Sequence, residues 1–171
     1  LLPHCIPSPG GLWADIGCGD GVFATIIQEI IGPTGRVIGV DKQATSLQRL
    51  KGRFRRDHPG VEVETVLADF RRPLALPELD GFVVANALHF IGPDVRAEVF
   101  GGLAALLRPG GRAVVVEYNT RTPNAAVPFP LDSIGFVALA TKVGLDAPRI
   151  AARVPSTFLE EIYAGVAIWN T

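Results

Sequence analysis

Leu12-Trp13-Ala14-Asp15-Ile16-Gly17-Cys18-Gly19-Asp20-Gly21 drives an apolar run into three glycines set at every second position. Val22 to Ile31 follows with apolar residues at helical spacing, enough for about three turns. Strand, glycine turn and helix together describe the first nucleotide-binding unit of an open parallel sheet. Glycine suits such a turn because the chain reverses tightly and its N–H groups approach a ligand that a Cβ would block. Val22 stands where a dinucleotide fingerprint has its third Gly or Ala, the residue that lets helix and strand pack closely under a pyrophosphate. Val22 is therefore expected to hold the helix off. Asp15 and Asp20 add negative charge where a diphosphate would sit, which suits a cationic ligand better.

The segment Asp15-Ile16-Gly17-Cys18-Gly19-Asp20-Gly21 resembles the first motif of the class I S-adenosylmethionine-dependent methyltransferases, in particular the small-molecule, methyltransferase 11/25-like branch. The cofactor of that family carries a sulfonium and an ammonium and no phosphate.

The rest of the chain is compatible with one compact domain over residues 1–171. Charged residues make up 19% and hydrophobic residues 48% of the 171, the balance of a globule with a real core. A net charge of -1 gives no electrostatic case for non-specific nucleic-acid binding. No apolar run approaches the roughly 20 residues that span a bilayer. The start has no basic-then-apolar signal pattern. Two cysteines, Cys18 inside the glycine turn, do not make a disulfide framework. A cytoplasmic protein without membrane attachment is expected. The chain has no Met and reaches its first strand soon after Leu1. The expectation is a domain with little or no N-terminal cap and a start that is either incomplete or unusual.

Taken in order, Leu1 to Gly11 reads as an irregular lead-in rich in Pro and Gly, before the first strand at Leu12 to Ile16. The first helix is expected from Asp20 to Ile31, with Asp20 favourably placed at its N-terminus. Arg36 to Val40 is a second strand, closed by Asp41 and apolar enough to be buried on both faces. Ala44 to Asp57 is a helix whose Leu47, Leu50 and Phe54 face the core and whose arginines form a solvated basic face. Val61 to Leu67 and Leu79 to Ala85 are the third and fourth strands. Pro93 opens a helix that extends to Leu107, Pro109-Gly110-Gly111 breaks the chain, and Arg112 to Glu117 is the fifth strand. Tyr118 to Pro130 is expected as a mobile loop, Leu131 to Val143 as the last helix.

Arg149 to Val154 and Ile162 to Trp169 are strand-like, and the gap between them is shorter than the dozen or so residues a parallel crossover takes. They should pair antiparallel. The predicted fold is thus α/β, a Rossmann-like three-layer sandwich around a seven-stranded, mostly parallel sheet with a C-terminal antiparallel β-hairpin. That order resembles the methyltransferase sheet over nearly the whole chain. A plain dinucleotide fold would continue with a parallel sixth strand.

Asp41, about twenty residues past the glycine turn, can accept two hydrogen bonds from the vicinal hydroxyls of a ribose. Its competing reading is an acid capping the second helix. The resemblance implies further roles. Asp15 would face the methionine ammonium, the backbone of Gly17, Cys18 and Gly19 would lie against the methionine moiety, and Lys42 would pack on the adenine. Asp69 would accept from the adenine amino group while the Phe70 N–H bonds a ring nitrogen, and Asn86 would meet the ammonium through its carbonyl. For Asp69 the competing reading is a loop acid solvated beside Arg71 and Arg72, and for Asn86 a side chain capping the turn. Cys18 reads as a packing residue, not a nucleophile.

His89 is the only histidine near the expected reaction centre and the candidate general base. The competing reading is a histidine packed against cofactor or helix. Asn86-Ala87-Leu88-His89 stands where base-methylating enzymes carry Asp/Asn-Pro-Pro-aromatic, and no Pro-Cys pair is present. The resemblance therefore implies S-adenosylmethionine as cofactor, no metal, and a small-molecule acceptor with an N, O or S nucleophile. Nucleic acid is disfavoured as substrate, protein or RNA substrates stay open beside a small metabolite, and homo-oligomerisation is left open. Two alternatives stand beside this reading, an NAD-dependent oxidoreductase and a catalytically silent S-adenosylmethionine-binding module.

Overall fold

A computed structural model describes residues 1–7 and 9–170. Seven strands form one sheet: β1 (Leu12–Ile16), β2 (Arg36–Asp41), β3 (Glu64–Leu67), β4 (Leu79–Ala85), β5 (Leu107–Tyr118), β6 (Asp146–Ser156) and β7 (Glu160–Ile168). Their spatial order is β3-β2-β1-β4-β5-β7-β6. The first five pair in parallel, and β7 runs antiparallel between β5 and β6. The expected fold class is what the chain adopts.

Alternation along the strands sends side chains to two separate cores. On one face Trp13, Val37, Val83 and Val114 pack with Ala24, Ile27 and Ile31 of α1 (Val22–Ile31) and Leu47, Leu50 and Phe54 of α2 (Ala44–Asp57). Ala14, Ile38, Phe82 and Val115 on the other face meet Phe100 and Leu103 of α3 (Pro93–Ala104) and Phe136 and Ala140 of α4 (Ser133–Lys142). Each fully buried large apolar side chain stabilises by roughly 1.5–3 kcal/mol, which is what fixes helices to both faces. The lead-in contributes more than irregular backbone. A 3-10 turn at Leu2–His4 places Leu2, Cys5 and Ile6 in the α1/α2 core.

Several boundaries differ from expectation. α1 begins at Val22 because Gly21, in left-handed conformation, is its N-cap, so Asp20 lies ahead of the helix and pairs with Arg49. Val22 is 47% exposed and cannot act as a spacer between helix and strand. The tight approach at this turn is to α2, where a Cβ on Gly21 would stand 2.3 Å from Leu50 Cδ1. β3 starts only at Glu64, opposite Ile38, and Val61 and Val63 pack beside the α1/α2 core outside the ladder. β5 begins earlier than expected. Its register against β4 slips between Leu79↔Leu107 and Gly81↔Arg112, so Pro109-Gly110-Gly111 is an irregularity inside the strand. The basic face of α2 is solvated as expected, with Arg49, Arg53 and Arg56 paired to Asp20 and Asp57.

The segment after β5 is fastened where a mobile loop was expected. Arg96 of α3 is buried and donates to the carbonyls of Ile91, Phe129 and Pro130. Tyr163 of β7 donates its hydroxyl to the Leu131 carbonyl at 2.8 Å, and the Phe129 amide donates to the His89 carbonyl at 3.0 Å. Asn119 holds the Ser133 amide, and Asp132 caps α4 through the Gly135 amide.

Candidate cofactor site

Parallel register aligns the strand ends. Ile16 lies beside Val40 on one side and Val84 on the other, and Ala85 lies beside Val116. The residues that follow, Gly17, Asp41, Asn86 and Glu117, consequently emerge at one level of the carboxyl edge. A cavity of about 330 Å³ opens there, a size suited to a small organic ligand. Six of the sequence candidates line it: Gly17, Asp41, Lys42, Asp69, Phe70 and Asn86.

Asp15, Cys18 and Gly19 are not in its wall, Asp15 and Cys18 being buried at the turn. Asp15 is 1% exposed, and its Oδ2 is buried without a hydrogen-bond partner. Burial raises its carboxyl to about 7, the Ala24 amide opposes this, and the charge of Asp41 adds to the rise. Burial also pushes the Cys18 thiol well up, assisted by Asp15 and Asp41, so at neutral pH it is a packing thiol.

The glycine turn hangs on β2, with the Gly17 and Cys18 amides donating to the Val40 carbonyl at 2.8 and 3.0 Å. Gly17 has φ +73°, and a Cβ on it would press Ala87 and the Phe70 ring at 3.2 and 3.4 Å. Asp41 braces the same turn. Its Oδ2 accepts from the Gly19 amide at 3.0 Å and its Oδ1 from the Gln43 amide at 2.8 Å. Gln43 precedes α2, so the acid also steadies the helix entry, as its competing reading anticipated. Two of about four lone-pair sites are thereby used and two stay open toward the cavity.

At Asp69 the carboxylate is engaged by Arg71, whose Nε lies 3.0 Å from both oxygens and whose amide reaches Oδ1 at 3.1 Å. Hydrogen bonding from that side chain lowers the carboxyl to about 2. The competing reading of a loop acid beside an arginine thus describes its present partner, and the residue lines the cavity wall. Asn86 takes φ +50°, its amide donating to the Val116 carbonyl at 2.8 Å, and its Oδ1 is buried without a partner.

His89 sits on a 3-10 turn, Leu88–Phe90, and is 2% exposed. Its Nδ1 lies 2.6 Å from Oε2 of Glu117, and its amide donates to Oε1 of the same carboxylate at 3.2 Å. Glu117 is 1% exposed and was not singled out in the sequence. It follows the apolar run Ala113 to Val116 as any polar residue would, so its only signal was its position near the end of β5.

The residues present suit a nucleoside carrying a cation. Asp41 offers free acceptor sites in the cavity wall, and a buried carboxylate oxygen of Asp15 and the amide oxygen of Asn86 lack donors. A family model described as a methyltransferase domain matches residues 14–111, which holds the glycine turn, Asp41, Asp69, Asn86 and His89. The chain belongs to the methyltransferase-domain family.

Curated relatives of this methyltransferase domain include an arsenite methyltransferase of Halobacterium salinarum, 26% identical over 88% of the chain and 41% of the relative. A ubiquinone/menaquinone biosynthesis C-methyltransferase of Ectopseudomonas mendocina is 30% identical over 79% of the chain. The chain spans 53% of that relative's length. Among solved structures, 1,6-didemethyltoxoflavin-N1-methyltransferase of Burkholderia thailandensis, with bound 1,6-didemethyltoxoflavin and S-adenosylhomocysteine, superposes with a TM-score of 0.76. That match covers 95% of this chain and 72% of the other at 21% identity, which shows the shared fold.

Proposed function

We propose that this methyltransferase domain binds S-adenosylmethionine at the carboxyl edge of β1, β2 and β4 and transfers its methyl group to a small-molecule nucleophile. The observation that carries the reading is Asp15, a buried carboxylate with an unpartnered oxygen beneath a glycine turn. An isolated buried charge is costly unless paired, so the site is built to receive a cation. A diphosphate would add like charge at that point. Bound there, the cofactor supplies an electrophilic methyl group on a sulfonium. Asp41 orients the ribose through its two open acceptor sites, Gly17 gives the close approach, and Phe70 and Lys42 flank the adenine. Asp69 addresses the adenine amino group from the cavity wall while holding Arg71.

In-line methyl displacement needs positioning above all, and orientation of two reactants supplies on the order of 7–11 kcal/mol. That agrees with a site holding acceptors and a cleft in place of a nucleophilic triad. His89 is the candidate proton acceptor. The likeness to an arsenite methyltransferase, a ubiquinone/menaquinone biosynthesis C-methyltransferase and a 1,6-didemethyltoxoflavin-N1-methyltransferase supports a small molecule as substrate. Calorimetric titration with S-adenosylmethionine, S-adenosylhomocysteine and NAD tests the reading. The sulfur ligands are expected to bind and NAD is not. Preferential NAD binding would overturn it in favour of an oxidoreductase, and sulfur-ligand binding without turnover on any acceptor would leave a silent binding module.

A further inference from the structure

Four rings stand in a row at the carboxyl edge of the sheet. Phe90 forms part of the cofactor cavity wall and is 58% exposed. The His89 ring lies 4.3 Å from it between centroids, Tyr118 lies 6.3 Å from His89, and Phe158 on the β6–β7 turn lies 5.5 Å from Tyr118. Phe158 is 57% exposed. Two large aromatic side chains more than half in water, at the two ends of one continuous row that starts in a ligand cavity, mark a surface with a partner.

The second ring of the row is held by a buried acid. Glu117 accepts from both the ring and the amide of His89. The cationic Arg96 is near enough for the Glu117 charge to act on it, which helps compensate a buried carboxylate. With Nδ1 committed as donor to Glu117, Nε2 is the nitrogen left to accept a proton. Among the described residues no protein group hydrogen-bonds it.

We propose that the methyl acceptor is a planar aromatic molecule with an ionisable hydroxyl, seated on the Phe90–Tyr118–Phe158 row, and that Glu117 is the positioning residue that aims His89 at that hydroxyl. The proposal rests on the methyl-transfer reading above. Flat rings favour a flat ligand, because aromatic pairs gain from offset and edge-to-face contact beyond the area they bury. In the step, the hydroxyl proton passes to His89 Nε2 and an oxygen electron pair forms the bond to the methyl carbon. The carbon–sulfur bond breaks, and its electron pair stays on sulfur, which goes from sulfonium to neutral thioether. The imidazolium stands against the Glu117 carboxylate and later releases its proton to water.

The test titrates the chain, saturated with S-adenosylhomocysteine, with 2-naphthol and with cyclohexanol, then follows methyl transfer to 2-naphthol as a function of pH. Naphthol is expected to bind and cyclohexanol to bind at least about five-fold more weakly. Phe158→Ala should weaken naphthol by a similar factor with the sulfur ligand unaffected. His89→Ala should lower the transfer rate about 100-fold or more. Glu117→Gln should slow transfer and move the imidazole limb of the pH profile to lower pH, with both affinities retained. Naphthol binding no tighter than cyclohexanol, no transfer to bound naphthol, or an unmoved limb in Glu117→Gln would each overturn the proposal. Absence of S-adenosylhomocysteine binding by the unaltered chain would instead sink the methyl-transfer reading. Should Glu117→Gln fail to fold, seen as lost sulfur-ligand binding, the naphthol comparison and Phe158→Ala decide.

Discussion

Asp15 is a carboxylate held in a place that disfavours its charge, and its energetics are linked to pH. A carboxyl raised from 3.8 to about 7 binds more protons folded than unfolded between those values, so stability falls as pH rises through that window. The full effect is about 4 kcal/mol, missing above pH 7 and restored below pH 4. Asp15→Asn is expected to flatten that fall in pH-dependent denaturation and to raise stability above neutrality. The same variant should weaken S-adenosylmethionine binding by about 1.5–3 kcal/mol, the value of a hydrogen bond to a charged group. A protein made both more stable and less able to bind separates a ligand carboxylate from a structural one. Below pH 7, binding of the cation should also release a proton, read as a dependence of the calorimetric heat on buffer ionisation. Asp41→Ala is expected to cost cofactor affinity about 1.5–3 kcal/mol per bond lost. It should lower stability too, since Asp41 holds the Gly19 and Gln43 amides. Asp15 and Asp41 were legible because a strand-turn-helix pattern numbers its own positions. Glu117 was not, because its partner His89 is distant in sequence and nothing at the end of an apolar strand says which turn it will meet. The Asp69–Arg71 contact was visible as adjacency in sequence, but only side-chain geometry shows that the guanidinium takes both oxygens.

At the scale of elements, the α1 entry is the most constrained point. Gly21 has φ +82°, and an added Cβ would lie 2.3 Å from Leu50 Cδ1 and 3.2 Å from Leu50 Cα. Gly21→Ala should therefore destabilise by about 2–4 kcal/mol, from left-handed strain and overpacking together, measured by denaturant unfolding. The bounds of β1, α2 and β4 were readable because apolar periodicity begins and ends abruptly there. The start of β5 was not. Pro109-Gly110-Gly111 carries every local mark of a chain break, yet the Gly110 amide donates to the Trp169 carbonyl and the Trp169 amide to Gly111. The partner strand overrides the local signal. Val22 misled for a related reason. Its place in the motif predicted a contact, but the helix phase set by Gly21 turns it to solvent.

Across the whole molecule, the segment between β5 and α4 is tied to α3 and β7, which joins the site to the antiparallel part of the sheet. Tyr163→Phe removes the hydroxyl that donates to Leu131 and leaves a buried carbonyl short of a partner, so a loss of about 1–3 kcal/mol is expected. Protease cleavage within 119–131 should become faster in this variant, read against the unaltered chain under native conditions. The strand order carries a different consequence, one of timing. β7 follows β6 in the chain but lies inside it in the sheet, directly against β5. While the chain is being synthesised, Val114, Val115 and Val116 therefore wait with one edge unpaired until β7 leaves the ribosome. That edge is apolar, parallel-sheet-backed and open to any other strand. The nascent domain is most exposed to misassociation at the moment when all but its last described strand has been made.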